Sequence, residues 1–166
     1  MIIPAICKAE EIREAFNRMR YSDAAMYFNG CLDEGEMIIP KEPSNGRIQY
    51  AIVDSSDNLI GYIGYFMDYY SESIYGFGLI NFTGKPNALI MNAIQLVIKQ
   101  ILKLNPHRVE FRAIGGNPAN KGYKKICDNM AKYDYKTTIH TLTDYIKDKY
   151  GNFRDSYIYE LIKEVK

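Results

Sequence analysis

The sequence predicts an α+β domain (an α/β mixed sheet): a central mixed, mostly antiparallel sheet with helices on both faces. Three observations carry the prediction. Apolar residues recur at helical spacing in the first thirty positions and then, from Lys41 on, alternate as they do in strands. A long apolar-rich helix after Pro86 separates two strand segments, and a strand–helix–strand unit in one sheet requires those strands to be parallel. At 166 residues the chain accommodates one domain with its own core, here taken as 1–166.

In chain order, a short strand over Ile2 to Ile6 leads into Lys8 to Arg20, where Ile12, Ala15, Phe16 and Met19 share a helix face. Ser22-Asp23 offers an N-cap to a shorter helix through Ala24, Met26, Tyr27 and Phe28, ending at Gly30. After the loop KEPSNG, the segments Arg47 to Asp54 and Leu59 to Tyr70 form a hairpin around SSDN, and Ile74 to Phe82 returns as a third antiparallel strand. The helix after Pro86 carries Leu89, Ala93, Leu96, Val97, Gln100 and Leu104 on one stripe, with Ile90, Ile94, Ile98 and Ile101 beside it. Asn105-Pro106 ends it, and Arg108 to Gly115 is a strand. Asn117 caps a further helix with Pro118 in its first turn. YKTTIHTLTDYI and FRDSYIYELI close the chain as a hairpin around KDKYGN.

Composition excludes several functions. A net charge of +1 and a pI near 7.6 create no field for nucleic acid or an anionic membrane. Asn92, Gln95, Lys99, Gln100 and Lys103 interrupt the most apolar helix, so it does not span a bilayer. The run Met1 to Cys7 lacks a basic region before it and is unlike a secretory signal. Three cysteines, Cys7, Cys31 and Cys127, show neither pairing nor metal spacing. The expectation is a cytoplasmic protein without a metal. Fifteen Tyr and no Trp fit a codon bias as readily as a function.

The order of elements and two local sequences resemble the GNAT family of acetyl-CoA-dependent N-acetyltransferases over essentially the whole chain. The closing hairpin is similar to that of members acting on protein N-termini or aminoglycosides, through Gly151, Asp155, Tyr159 and Leu161. The family's phosphate loop reads Gln or Arg, two residues, Gly, one residue, Gly or Ala. Here the register is Thr83, Gly84, Lys85, Pro86, Asn87, Ala88. Ala88 matches, Gly84 and Lys85 supply flexibility and charge, and Pro86 removes one N–H donor.

The resemblance implies acetyl-CoA as cosubstrate and a primary amine, on a small molecule or peptide, as acceptor, joined by direct attack on the thioester. It implies main-chain contacts to the pantetheine arm from Leu79, Ile80, Asn81 and Phe82. The pyrophosphate falls to Gly84, Lys85, Asn87, Ala88 and Leu89, at a loop and helix N-terminus whose N–H groups suit an anion. Asn117 and Asn120 are further cofactor contacts, and Tyr123 is the acid that protonates the departing thiolate. The strand Ile74 to Phe82 holds no acid, so Glu110 is the candidate base, ahead of Asp68 and His140. The acceptor cleft falls to residues 26–36, with Asp33, Glu34 and Glu36, and to 136–150. A homodimer is allowed; nucleic-acid and membrane partners are not expected. The alternatives are a catalytically silent GNAT-fold module that binds CoA or a protein, and an unrelated α+β interaction protein.

Overall fold

The computed structural model describes residues 1–20, 22, 37–41, 46–148 and 150–164. The short helix expected after Asp23, Cys31 and the acidic residues Asp33, Glu34 and Glu36 lie outside the described residues.

Strand β1 (Ile2–Pro4) is shorter than expected. Pro4 has no N–H to continue the ladder, and the chain turns through a 3-10 segment, Ala5–Lys8, into α1 (Ala9–Arg20). The meander is β2 (Arg47–Val53), β3 (Leu59–Asp68) and β4 (Ser73–Asn81). Helix α2 (Ala88–Lys103) and strand β5 (Arg108–Ile114) follow, then α3 (Ala119–Met130), β6 (Tyr135–Lys147) and β7 (Phe153–Lys163).

The seven strands form one sheet in the order β1-β2-β3-β4-β5-β7-β6. Every neighbouring pair is antiparallel except β4 and β5, the pair joined through α2. Alternation divides the side chains between two cores. Ala51, Tyr62 and Ile80 pack with Ile12 and Phe16 of α1 on one face. Ile63, Phe77, Phe111 and Leu161 pack with α2 and α3 on the other.

The packed stripe of α2 differs from the expected one. Ile90, Ala93, Ile94, Val97, Ile98 and Ile101 are buried, whereas Leu89, Leu96 and Leu104 are exposed. The apolar arc is wider than one contact face, and the sheet takes its isoleucine side; each fully buried isoleucine contributes roughly 1.5–3 kcal/mol.

Two register features shape the centre of the sheet. Between the pairs Gly64↔Gly78 and Phe66↔Tyr75, β3 contributes only Tyr65 while β4 contributes Gly76 and Phe77, so β4 carries a bulge. Gly76 has φ +62°, and a Cβ there would lie 2.9 Å from Phe66 Cδ2. Immediately beyond the bulge, β4 and β5 part. Their last pair is Phe77↔Phe111, while β5 continues against β7 as far as Ile114↔Ser156.

Candidate active site where β4 and β5 part

The parting leaves one side of β4 unpaired. The Phe82 N–H donates to Ile60 O at 3.0 Å, so by antiparallel alternation Ile80 and Gly78 also direct their main-chain groups at β3. Those of Leu79 and Asn81 face the gap. Of the four main-chain candidates, Leu79 and Asn81 therefore direct their groups away from β3 with no strand paired to them among the described residues, Ile80 packs its side chain against α1, and Phe82 lies just past the strand.

At the end of β4 the chain makes a tight loop. Asn81 Oδ1 accepts from the Thr83 N–H and hydroxyl at 2.9 and 2.7 Å, and Asn81 Nδ2 donates to Lys85 O at 2.8 Å. Gly84 sits at φ +68° with nothing within 4 Å of a Cβ position among the described residues. Asn87 is the N-cap of α2, its Oδ1 accepting from Leu89 N–H at 2.9 Å. The N–H groups of Lys85, Asn87 and Ala88 have no hydrogen-bond partner among the described residues. Pro86 adds no donor. Thus one helix N-terminus and three N–H groups lie at the gap's mouth.

Beside this loop is an open cleft of about 930 Å³, bounded by Asn81, Phe82 and Gly84, by Glu11 and Arg18 of α1, and by Asp57. Lys8 at its rim is tied to Glu11 at 3.0 Å and Asp57 at 2.8 Å. Arg18 is only loosely paired with Glu14, at 3.8 Å.

On the α3 face, Tyr123 stands against the last paired residues. Its ring stacks on Phe111 at 5.1 Å and meets Phe77 edge-on at 6.2 Å. It is 5 % exposed, and burial, with Tyr159 nearby, pushes its phenol well above the usual tyrosine range. No hydrogen bond engages its hydroxyl among the described residues. Tyr159 of β7 lies 5.8 Å from it, ring to ring, and donates to Asn120 Oδ1 at 2.8 Å. Asn120 Nδ2 in turn donates to Ile114 O at 2.8 Å, so that side chain bridges the end of β5 to β7. Asn117 caps α3 through Oδ1, which accepts from Ala119 N–H at 2.9 Å.

On the α1 face, Glu110 is paired with Arg108 at 3.2 Å and Arg112 at 3.4 Å. It neighbours Phe111 but points to the opposite side from Tyr123. His140 lies on β6 beside Glu160, at 3.1 Å. Asp68 ends β3 at the far end of the β4 pairing. Its carboxylate accepts from the Ser71 hydroxyl and the Tyr70 N–H, which hold it below the usual range. It anchors a turn.

Two residues just past the last β4–β5 pair were not singled out from the sequence. Gly78, beside the gap, gives no sequence signal apart from being a glycine in a strand. Arg112 could have been found by alternation, because it shares a strand face with Glu110. Among the described residues no group of His, Cys, Asp or Glu is arranged to hold a metal ion, and no helix is long and apolar enough to cross a membrane.

No family model and no curated protein matches the sequence. Solved structures do match. The smu.2055 protein of Streptococcus mutans superposes with a TM-score of 0.66 at 15% identity, covering 99% of both chains. A probable GNAT-family acetyltransferase of Chromobacterium violaceum gives 0.56 at 19% identity, over 93% of this chain and 83% of that one. The spermidine/spermine N-acetyltransferase of Vibrio cholerae gives 0.52 at 15% identity, over 92% and 74%.

Proposed function

We propose that this chain, which has the GNAT N-acetyltransferase fold, is an N-acetyltransferase that moves the acetyl group of acetyl-CoA to a primary amine. One observation carries the reading. β4 and β5 separate after Phe77 and Phe111, leaving the main chain of Leu79 and Asn81 open to a strand-like ligand in line with an α-helix N-terminus. The pantetheine arm is such a ligand, an extended chain with amides that can complete a ladder. Its pyrophosphate would meet the N–H groups of Lys85, Asn87 and Ala88, near Gly84 and the Leu89 turn. Asn117 has an Nδ2 unengaged among the described residues, which would serve a further contact.

With the arm in the gap, the thioester comes to rest near Phe77 and Phe111, with Tyr123 on one face and Glu110 on the other. The amine nitrogen bonds to the thioester carbonyl carbon, Glu110 takes the amine proton, and the carbon–sulfur bond breaks as Tyr123 gives its proton to the thiolate. A phenol is protonated at neutral pH, the state a donor needs, and burial makes Tyr123 a weaker acid that yields its proton only as charge develops on the departing sulfur. Asn120 and Tyr159 position the ring rather than react.

The test is direct. Calorimetry with acetyl-CoA should give saturable binding, and thiol release should appear when an amine panel is added. Gly84→Val should weaken that binding: a β-branched residue at φ +68° is strained by roughly 1–3 kcal/mol and crowds the phosphate approach. Binding without thiol release across the panel would instead favour the silent CoA-binding module. No binding at millimolar acetyl-CoA would exclude both.

A further inference from the structure

On the α1 face of the gap, β4 carries no side chain at Gly78, the position next to the last β4–β5 pair. Gly78 is the first β4 residue past the last cross-strand pair, and a Cβ built on it meets nothing within 4 Å among the described residues. Its φ is not in the left-handed region, so the backbone does not demand glycine there; the missing side chain simply leaves space. Diagonally across the gap, Arg112 is the first β5 residue past the same pair and shares that face.

The charges around this space are unevenly committed. Glu110 is held by Arg108 and Arg112, and Glu160 by Arg108 at 2.8 Å and His140 at 3.1 Å. Both carboxylates are only 15–19% exposed, and Arg108 is spent on the two together. Arg112 makes one long contact through a single nitrogen, at 3.4 Å, with its side chain 37% exposed. The rest of its donor fork is unengaged among the described residues. Among the described residues on this face, a polycationic acceptor would find the carboxylates Glu110 and Glu160 already neutralised, beside an available guanidinium. An acceptor with its own anion would find a partner.

We propose that the acceptor is a primary amine carrying a carboxylate or phosphate close to the amine, and that Arg112 binds that anion and so determines acceptor specificity. The inference rests on the acetyltransferase reading above. A guanidinium fork receives carboxylate and phosphate in the same two-point manner, so the chemistry is shared between an amino-acid or peptide acceptor and a phosphorylated amine.

Matched acceptors separate these cases: glycylglycine against its C-terminal amide, phosphoethanolamine against ethanolamine, and spermidine alone. Thiol release is followed with saturating acetyl-CoA. At least one anionic member should exceed its neutral partner by about tenfold or more in kcat/KM, mostly through KM. Whichever pair shows the larger ratio identifies the anion. In Arg112→Gln that ratio should fall toward one, and Arg112→Lys should restore part of it. The ratio is read within each variant, so a general loss transmitted through Glu110 cancels. Equal rates on both members of both pairs, or spermidine as the fastest acceptor, would overturn the proposal while leaving the acetyltransferase reading intact. Acetyl-CoA that fails to bind, or that binds while no amine is acetylated, would overturn that reading and this inference with it.

Discussion

Tyr123 is the residue on which structure and chemistry bear most directly. Its ring is fixed by Phe77, Phe111 and Tyr159, and its hydroxyl is not spent on any described group. Tyr123→Phe keeps the packing and removes only the hydroxyl, the proposed proton donor. Turnover should drop by about a hundredfold or more, with acetyl-CoA affinity and melting temperature nearly unchanged. Unaltered turnover would remove Tyr123 from the reaction. Asp148 is a residue with a purely structural assignment. Burial pushes its carboxyl upward, but the N–H groups of Asn152 and Tyr150 and the Arg154 guanidinium, at 2.9–3.0 Å, outweigh that and leave it below the ordinary carboxylate range. A carboxyl held lower in the folded than in the unfolded chain stabilises the fold above the unfolded value, near about 4. That contribution is lost as pH falls through the folded value. Asp148→Asn should therefore melt below wild type at pH 7, and the gap should close in acid. A gap of constant size from pH 7 to pH 3 would show that the carboxylate's charge is not what matters there.

Among the elements, β4 decides whether there is a site. The bulge at Gly76 adds a residue opposite Tyr65, and an extra residue increases local twist, which turns the rest of β4 away from β5. Gly76→Ala places a Cβ 2.9 Å from Phe66 Cδ2 at φ +62°. It should destabilise the fold by about 1–2 kcal/mol and weaken acetyl-CoA binding if the bulge sets the gap. Denaturant titration and calorimetry read the two effects separately; reduced stability with full affinity would mean the parting of the strands has another origin. Helix α2 gives a different lesson. Its start after Pro86 was legible from the loop GKPN and the apolar run behind it, whereas the Asn87 side chain that caps it was not singled out as a cap. Its packed stripe was not, because nearly its whole circumference is apolar and only the sheet beneath selects Ile90, Val97 and Ile101 over Leu89 and Leu96.

At the scale of the whole molecule, a single sheet collects on its two faces residues far apart in sequence, with Tyr123 and Glu110 on opposite sides of one gap. The meander, the parallel crossover and the closing hairpin were all readable, since each rests on local periodicity, turn residues or a connection long enough to force parallel strands. The order in which the final hairpin joins the sheet was not readable. β7 rather than β6 pairs with β5, and both strands carry alternating patterns that would allow either. Of the candidate site, the sequence marked the strand, the loop and Tyr123. It did not show that Asn81 ties down the loop, that Asn120 is committed to Tyr159, or that Arg112 and Gly78 share a face just past the last β4–β5 pair. What the sequence by itself determined are the strands and helices among the described residues, their order and the Asn117 cap, because these follow from neighbours within a few positions. What only the tertiary structure decided is where β4 and β5 part and which charges are already paired there, because bulge, cross-strand register and ion pairing depend on residues tens of positions apart.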